Sequence, residues 1–157
     1  MVQNEEFKLA VGKFPTGVTV ITTNQGSKLY GFTANSFASV SLEPHLISFC
    51  LNKEAYSFDA FSDAEYFSIS ILSSAQADIS GHFARHSADK FKGVDYELGK
   101  HSNSPLIQGA ICFIECKKYN IFECGDHSIF IGEVIKTQID EDKSPLLYFS
   151  KSYLEIK

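Results

Sequence analysis

Residues 110–124 and 128–139 are two long strand-forming runs parted by little more than the tight Gly125-Asp126 turn, so they can meet only as an antiparallel pair. The rest of the chain repeats that habit on a smaller scale. Residues 18–23 are rich in β-branched side chains, Asn24-Gln25-Gly26 reads as a hairpin turn, and residues 29–36 form the returning strand. Residues 46–51 are apolar enough to be read as a strand buried on both faces. Residues 66–72 alternate apolar and polar, which predicts a half-buried strand, and residues 146–149 form a last strand after the acidic turn Asp140-Glu141-Asp142. Helical spacing is confined to short stretches, residues 4–13, 55–62 and 75–84. Strands that follow one another through hairpins and brief crossovers predict a mainly β fold, an antiparallel barrel or sandwich with short flanking helices.

The first helix is expected to be capped by Asn4 and to lay Phe7, Ala10, Val11 and Phe14 against the core. Residues 86–103 carry no regular pattern and read as a long excursion of the kind that often serves function. With 157 residues and no repeat or linker, the chain is expected to form a single domain over 1–157.

Composition closes several function classes. Net charge is -5 and Arg85 is the only arginine, which argues against nucleic acid as a partner. The opening residues lack an apolar core segment and no run is long enough to span a membrane, so a cytoplasmic protein with its four cysteines as free thiols is expected. His82 and His86 are four apart but lack the Glu and third ligand of a zinc helix, and Cys112 and Cys116 lack redox-pair spacing; no metal is expected. Nucleophile elbows, phosphate loops and dinucleotide fingerprints are absent from the sequence, so a nucleotide would have to be held by a barrel-type site. Phe 14 and Tyr 7 make an unusual aromatic load, part of it explained by the core and part available to line a site for a flat ligand.

The segment from Gly31 to Asn52 concentrates the small polar groups. Thr33-Ala34-Asn35-Ser36 and Ser39-Val40-Ser41 precede Pro44 and an apolar strand, offering hydroxyls and amides along one edge. Read alone, these residues could simply solvate a strand end. His127, at the Gly125-Asp126 hairpin, could equally be a turn histidine in water or a ring at a ligand's rim.

Taken in order along the chain, Phe14-Pro15-Thr16-Gly17-Val18, Gly31-Phe32-Thr33-Ala34-Asn35-Ser36-Phe37, Ser39-Val40-Ser41, Phe83-Ala84, Asp89-Lys90-Phe91, Gly125-Asp126-His127, Ile131-Gly132-Glu133-Val134 and Pro145-Leu146-Leu147-Tyr148-Phe149 resemble the flavin reductase family. These are the small components that feed reduced flavin to two-component monooxygenases. The resemblance implies an FMN-binding split barrel with Greek-key connections, usually a homodimer, using FMN or FAD with NADH or NADPH. It implies flavin contacts at Thr33, Ala34, Asn35, Ser36, Ser39, Val40, Ser41, Leu51, Asn52, Ser57, Phe83 and Ala84. It places Pro15, Thr16, His127 and Tyr148 on the nicotinamide side, with His127 as the catalytic candidate. The activity implied is NAD(P)H:flavin oxidoreductase, supplying reduced flavin to a partner monooxygenase or other acceptor; an FMN-binding electron-transfer or sensor protein of the same fold, without free-flavin turnover, is the alternative. A pyridoxamine-phosphate oxidase of related fold would need more cationic phosphate contacts than one arginine supplies.

Overall fold

The computed structural model describes residues 1–87 and 89–156. Its elements are α1 (Asn4–Val11), β1 (Thr16–Gly17), β2 (Thr19–Gln25), β3 (Lys28–Ala34), β4 (Ala38–Leu42), β5 (His45–Asn52), α2 (Phe58–Asp63), β6 (Tyr66–Ile71), α3 (Ala77–Ala84), β7 (Tyr96–Leu98), β8 (Pro105–Ile107), β9 (Cys112–Cys124), β10 (His127–Ile139), β11 (Leu147–Phe149) and β12 (Ser152–Leu154). Seven strands pair in the order β3-β2-β6-β9-β10-β5-β4, all antiparallel. The β2–β3 hairpin turns at Gly26 and Ser27, both at positive φ, slightly later than the sequence suggests.

That strand order dictates a barrel. Laid flat, seven strands would hold β3 and β4 about 29 Å apart, six spacings of about 4.8 Å. Only Asn35, Ser36 and Phe37 connect Ala34 to Ala38, a reach of about 14 Å at most. The sheet must therefore curl until its two edges nearly meet, and because β3 and β4 do not pair, the barrel stays split between them.

Aromatic side chains fill the interior. Phe49, Phe61, Phe67 and Phe130 are buried together, with Phe49 stacked on Phe130 at 5.0 Å and edge-on to Phe67 at 5.2 Å. Gly132 makes room: a Cβ there would lie 2.3 Å from the Phe67 ring. A second apolar layer, Val18, Val20, Leu72, Phe83, Ile107 and Leu146, covers the outer face of β2 beneath α3 and the chain's last strands.

Four expectations are corrected. The apolar face of α1 is not on the core, for Phe7 is 60%, Val11 52% and Phe14 76% exposed. Nor does Asn4 cap that helix; Gln3 holds the cap position without a side-chain bond. Strand β5 alternates rather than burying both faces, while β6, expected to be half-buried, is enclosed on both. The cause of the last is the excursion. It contains β7 and pairs back onto β8, whose Ile107 N–H donates to Ser70 Oγ, while Ser102 Oγ meets Ser68 Oγ at 2.8 Å. The serines that suggested solvent instead hold a covering segment.

Candidate functional site

A cavity of about 350 Å³ opens at the split of the barrel. One wall is β3 from Leu29 to Ala34, continued by Asn35 and Ser36; another is Cys50, Leu51 and Asn52 at the end of β5. Ala55, Tyr56 and Ser57 close one end ahead of α2, Phe83 to Ser87 and Lys90 lie over it from α3 onward, and His127 reaches in from the start of β10. His127 and Asn52 are direct register partners, which explains how a hairpin histidine arrives beside a residue far from it in sequence.

The polar groups in this cavity divide into those already committed and those with capacity to spare. Thr33 Oγ1 donates to the Ser80 carbonyl at 2.6 Å, tying β3 to α3. Ser36 Oγ accepts the Cys50 N–H at 2.9 Å and so links the β3–β4 connection to β5 across the split. Asn52 Oδ1 accepts the Glu54 N–H at 2.8 Å, leaving its amide N–H groups free to face a ligand. Asn35 is exposed at the rim. Ala34 and Leu51 supply apolar wall, and Gly31 lets the wall pack closely, since a Cβ there would sit 3.0 Å from the Phe83 ring and 3.2 Å from that of Phe91.

The cavity is cationic in an acidic chain. Arg85 and Lys90 line it, with the imidazoles of His86 and His127 beside them. Burial holds the Lys90 amine below its ordinary value, and its Nζ donates to the Phe83 carbonyl at 2.8 Å. His127 Nδ1 lies 2.8 Å from Asp126 Oδ1, a hydrogen bond that draws the Asp126 carboxyl below the ordinary carboxylate range. A partner carboxylate on one ring nitrogen leaves Nε2 to face the cavity contents. Flat apolar walls, amide donors at the rim and cations at the mouth suit a planar heterocycle with an anionic tail.

Of the residues expected at a flavin, Thr33, Ala34, Asn35, Ser36, Leu51, Asn52, Ser57, Phe83 and Ala84 line this one cavity, joined by His127, which was expected on the nicotinamide side. Phe83 is fully buried and meets it only as backing behind β3. Ser39, Val40 and Ser41 do not line it; they lie on β4, where a register irregularity interrupts pairing with β5. Pro15, Thr16 and Tyr148 are brought together elsewhere, Thr16 pairing with Tyr148 where β1 meets β11. Sequence reasoning missed Tyr30, Cys50, Tyr56, Arg85, His86 and Lys90 as lining residues. An alternating reading of β5 would have found Cys50 along with Asn52, and the lone arginine beside Phe83-Ala84 was a signal left unused.

Residues 11–157 match the family described as flavin reductase like domain. The chain belongs to that family. An NADH-dependent FAD reductase of Streptomyces globisporus is 44% identical over 134 residues, which is 83% of this chain and 73% of that protein. A flavin reductase of Pseudomonas putida is 34% identical over 94% of this chain and 86% of its own length. Some relatives are longer: this chain spans 42% of the reductase component of an Acinetobacter baylyi trigonelline monooxygenase at 44% identity. Among solved structures, the Streptomyces globisporus NADH:FAD oxidoreductase, in complex with NAD and FAD fragments, superposes with a TM-score of 0.94 at 38% identity, covering 100% of this chain and 96% of that one. The split barrel is thus the architecture of the flavin reductase family. No helix among the described residues is long and apolar enough to cross a membrane.

Proposed function

We propose that this protein is an NAD(P)H-dependent flavin reductase, passing hydride from a nicotinamide nucleotide to FAD or FMN. The observation that carries the reading is the convergence of Thr33, Asn35, Ser36, Asn52 and His127, from three separate segments, on one cavity in a chain of this family. The residues fit a flavin: the walls are apolar, the rim offers amide donors, and the mouth is cationic where a phosphate would leave. Bound flavin supplies the electron-accepting ring and the nicotinamide nucleotide supplies the hydride, so no protein nucleophile is required.

The chain's own contribution is placement and exclusion of water. Asn35 and the Asn52 amide orient the ring edge, Ala34 and Leu51 keep its surroundings dry, and Ser57 with the chain around it receives the phosphate end. His127, held through Nδ1 by Asp126, turns Nε2 toward the second ring and positions it. Ser39, Val40 and Ser41 border the flavin and Pro15, Thr16 and Tyr148 the nicotinamide approach, both completed in a homodimer whose contact includes the exposed apolar face of α1. In this reading residues 1–157 act as one domain in the cytoplasm, and reduced flavin passes to a partner monooxygenase. The names of reductase components among the relatives support that last step.

Nucleotide oxidation by purified protein, with NADH and NADPH, with and without FAD or FMN, tests the reading. Turnover that requires added flavin is expected. A yellow protein that ignores both nucleotides would instead be an electron-transfer or sensor relative.

A further inference from the structure

Helix α3 is gripped from both sides. On its inner side the Ser80 carbonyl accepts the Thr33 hydroxyl at 2.6 Å, and the Phe83 ring rests where a Cβ on Gly31 would lie 3.0 Å away. On its outer side Ser80 Oγ meets the Tyr153 hydroxyl of β12 at 2.8 Å. Ser80 is 2% exposed, and among the described residues Tyr153 is the one partner of its hydroxyl. A single residue of a short helix thus receives the cavity wall through its backbone and the chain's last strand through its side chain.

Tyr153 has a second attachment. It pairs with Tyr148 in the β11–β12 ladder, their ring centroids 5.6 Å apart, and Tyr148 pairs in turn with Thr16 of β1. The turn of the same hairpin is tied down as well, where the Ser150 N–H donates to the Gly12 carbonyl at 3.0 Å. A run of contacts therefore leads from Thr16 and Tyr148, through Tyr153 and Ser80, to Thr33 at the cavity. Neither Tyr153 nor Ser80 lines that cavity.

The structure assigns Tyr153 as a positioning residue: acting through Ser80, it fixes the distance between the wall that carries the flavin and the wall that carries the nicotinamide. This rests on the reductase reading above. Hydride transfer moves two electrons and one hydrogen from nicotinamide to flavin together, so its rate depends steeply on the gap between the rings; a misplacement of about 1 Å can cost about a hundred-fold. Without the Tyr153 hydroxyl, the buried Ser80 Oγ turns to the Gln76 carbonyl four residues back, a bond that bends helices. α3 then shifts on β3 and takes Thr33 and Ala84 with it, while both binding walls keep their own groups.

The test is anaerobic flavin reduction by NADH, and by NADH deuterated at the transferred position, in the wild type, Tyr153→Phe, Ser80→Ala and the double variant. Flavin binding by fluorescence, thermal melting and hydrogen exchange of residues 77–84 in the flavin-free protein accompany it. Tyr153→Phe is expected to lower the saturated reduction rate about three- to thirty-fold with a larger isotope effect, leaving flavin affinity and the KM for NADH within about two-fold. Exchange should quicken in α3 and not in β9 or β10, and Tm should fall by only about 2–4 °C, as for one hydrogen bond. The double variant should be no slower than the slower single one, since the two hydroxyls act as a unit. A lower Tm with an unchanged reduction rate would overturn the inference and leave Tyr153 a staple of the last hairpin. A rate restored by excess flavin or excess NADH would overturn it by making Tyr153 a support of one wall alone, and additive losses in the double variant would overturn the path through Ser80. A wild type that binds flavin but is reduced by neither NADH nor NADPH would overturn the reductase reading and this inference with it; normal wild-type reduction confines any failure to Tyr153.

Discussion

Among the described residues Glu115 is the one carboxylate the fold takes inside, and its replacement gives the sharpest test of how the excursion is held. The residue is 5% exposed, on β9, and Oε2 accepts from the backbone N–H of His101 at 2.9 Å, from that of Ser102 at 2.7 Å and from Ser102 Oγ at 2.9 Å. Burial alone would raise its carboxyl, but the bonds from Ser102 and His101 outweigh it and hold the group below its ordinary value of 4.5. Glu115→Leu strips the acceptor from three donors around the buried Ser102. At about 1.5–3 kcal/mol for each bond to a charged acceptor, offset in part by relief of the buried charge's desolvation and by water at the exposed His101 side, the net loss is about 3–4 kcal/mol. For a chain of this length that lowers Tm by about 6–16 °C. Glu115→Gln keeps an acceptor and loses only the charge, about 1–2 kcal/mol. A depressed carboxyl contributes stability above its unfolded pKa and loses it as pH falls through the folded one. Thermal melts should therefore show a gap between wild type and Glu115→Gln at pH 7 that closes below pH 4.5. A Gln variant that melts with the wild type at pH 7, or a gap that widens on acidification, would refute the clasp.

Three further outcomes follow from single residues. Gly132→Ala should cost about 3 kcal/mol by driving a methyl to 2.3 Å from the buried Phe67 ring, read as a lowered denaturant midpoint at unchanged slope. His127→Ala should raise the KM for the nicotinamide nucleotide several-fold while flavin binding by fluorescence changes little, and Asp126→Asn should reproduce part of that effect by releasing the Nδ1 contact. Thiol labelling of the native protein should modify the exposed Cys124 first and spare Cys116, whose thiol burial pushes up to about 12, until the protein is unfolded.

The strand sequence was legible because hairpins write themselves locally: β9 and β10 flank a turn, and β2 and β3 another. What failed was the environment of each strand. Residues 46–51 look two-sided because Leu46, Ile47, Phe49, Cys50 and Leu51 are all apolar, yet one face of β5 fronts the split and carries Cys50 and Asn52. Residues 66–72 look one-sided because serines alternate, yet those hydroxyls are satisfied by Ser102 and the Ile107 N–H from a segment that shows no pattern of its own. Polarity in the sequence reports that a partner exists and is silent on whether the partner is water. The same limit applies to α1, whose apolar spacing is helical but whose face stands clear of this chain's core. The site was legible in its central part, where Thr33 to Ser36, Leu51, Asn52 and His127 stand on strands whose pairing can be guessed. Arg85, Lys90 and Tyr56 belong to connections, and their approach depends on how the barrel curls.

The curl also explains why small polar residues crowd this one segment. A split barrel leaves two edge strands whose backbone groups lack a ladder partner on one side, and such edges must be managed. Here side chains tie the segments around the split to their neighbours: Ser36 Oγ receives the Cys50 N–H of β5, Thr33 Oγ1 donates to the Ser80 carbonyl of α3, and Thr19 Oγ1 of β2 donates to the Ala34 carbonyl at 2.8 Å where β3 ends. The hydroxyls that resemble a ligand's contacts are in large part the seam of the barrel. A ligand at the split then meets an edge already stiffened in position, and its own polar rim needs only the unspent donors of Asn35 and Asn52. If so, Ser36→Ala should loosen the β3–β4 connection and weaken flavin binding together with stability, whereas Asn52→Ala should weaken flavin binding with a smaller change in Tm. The opposite ranking would mean that Ser36 serves the ligand first and the seam second.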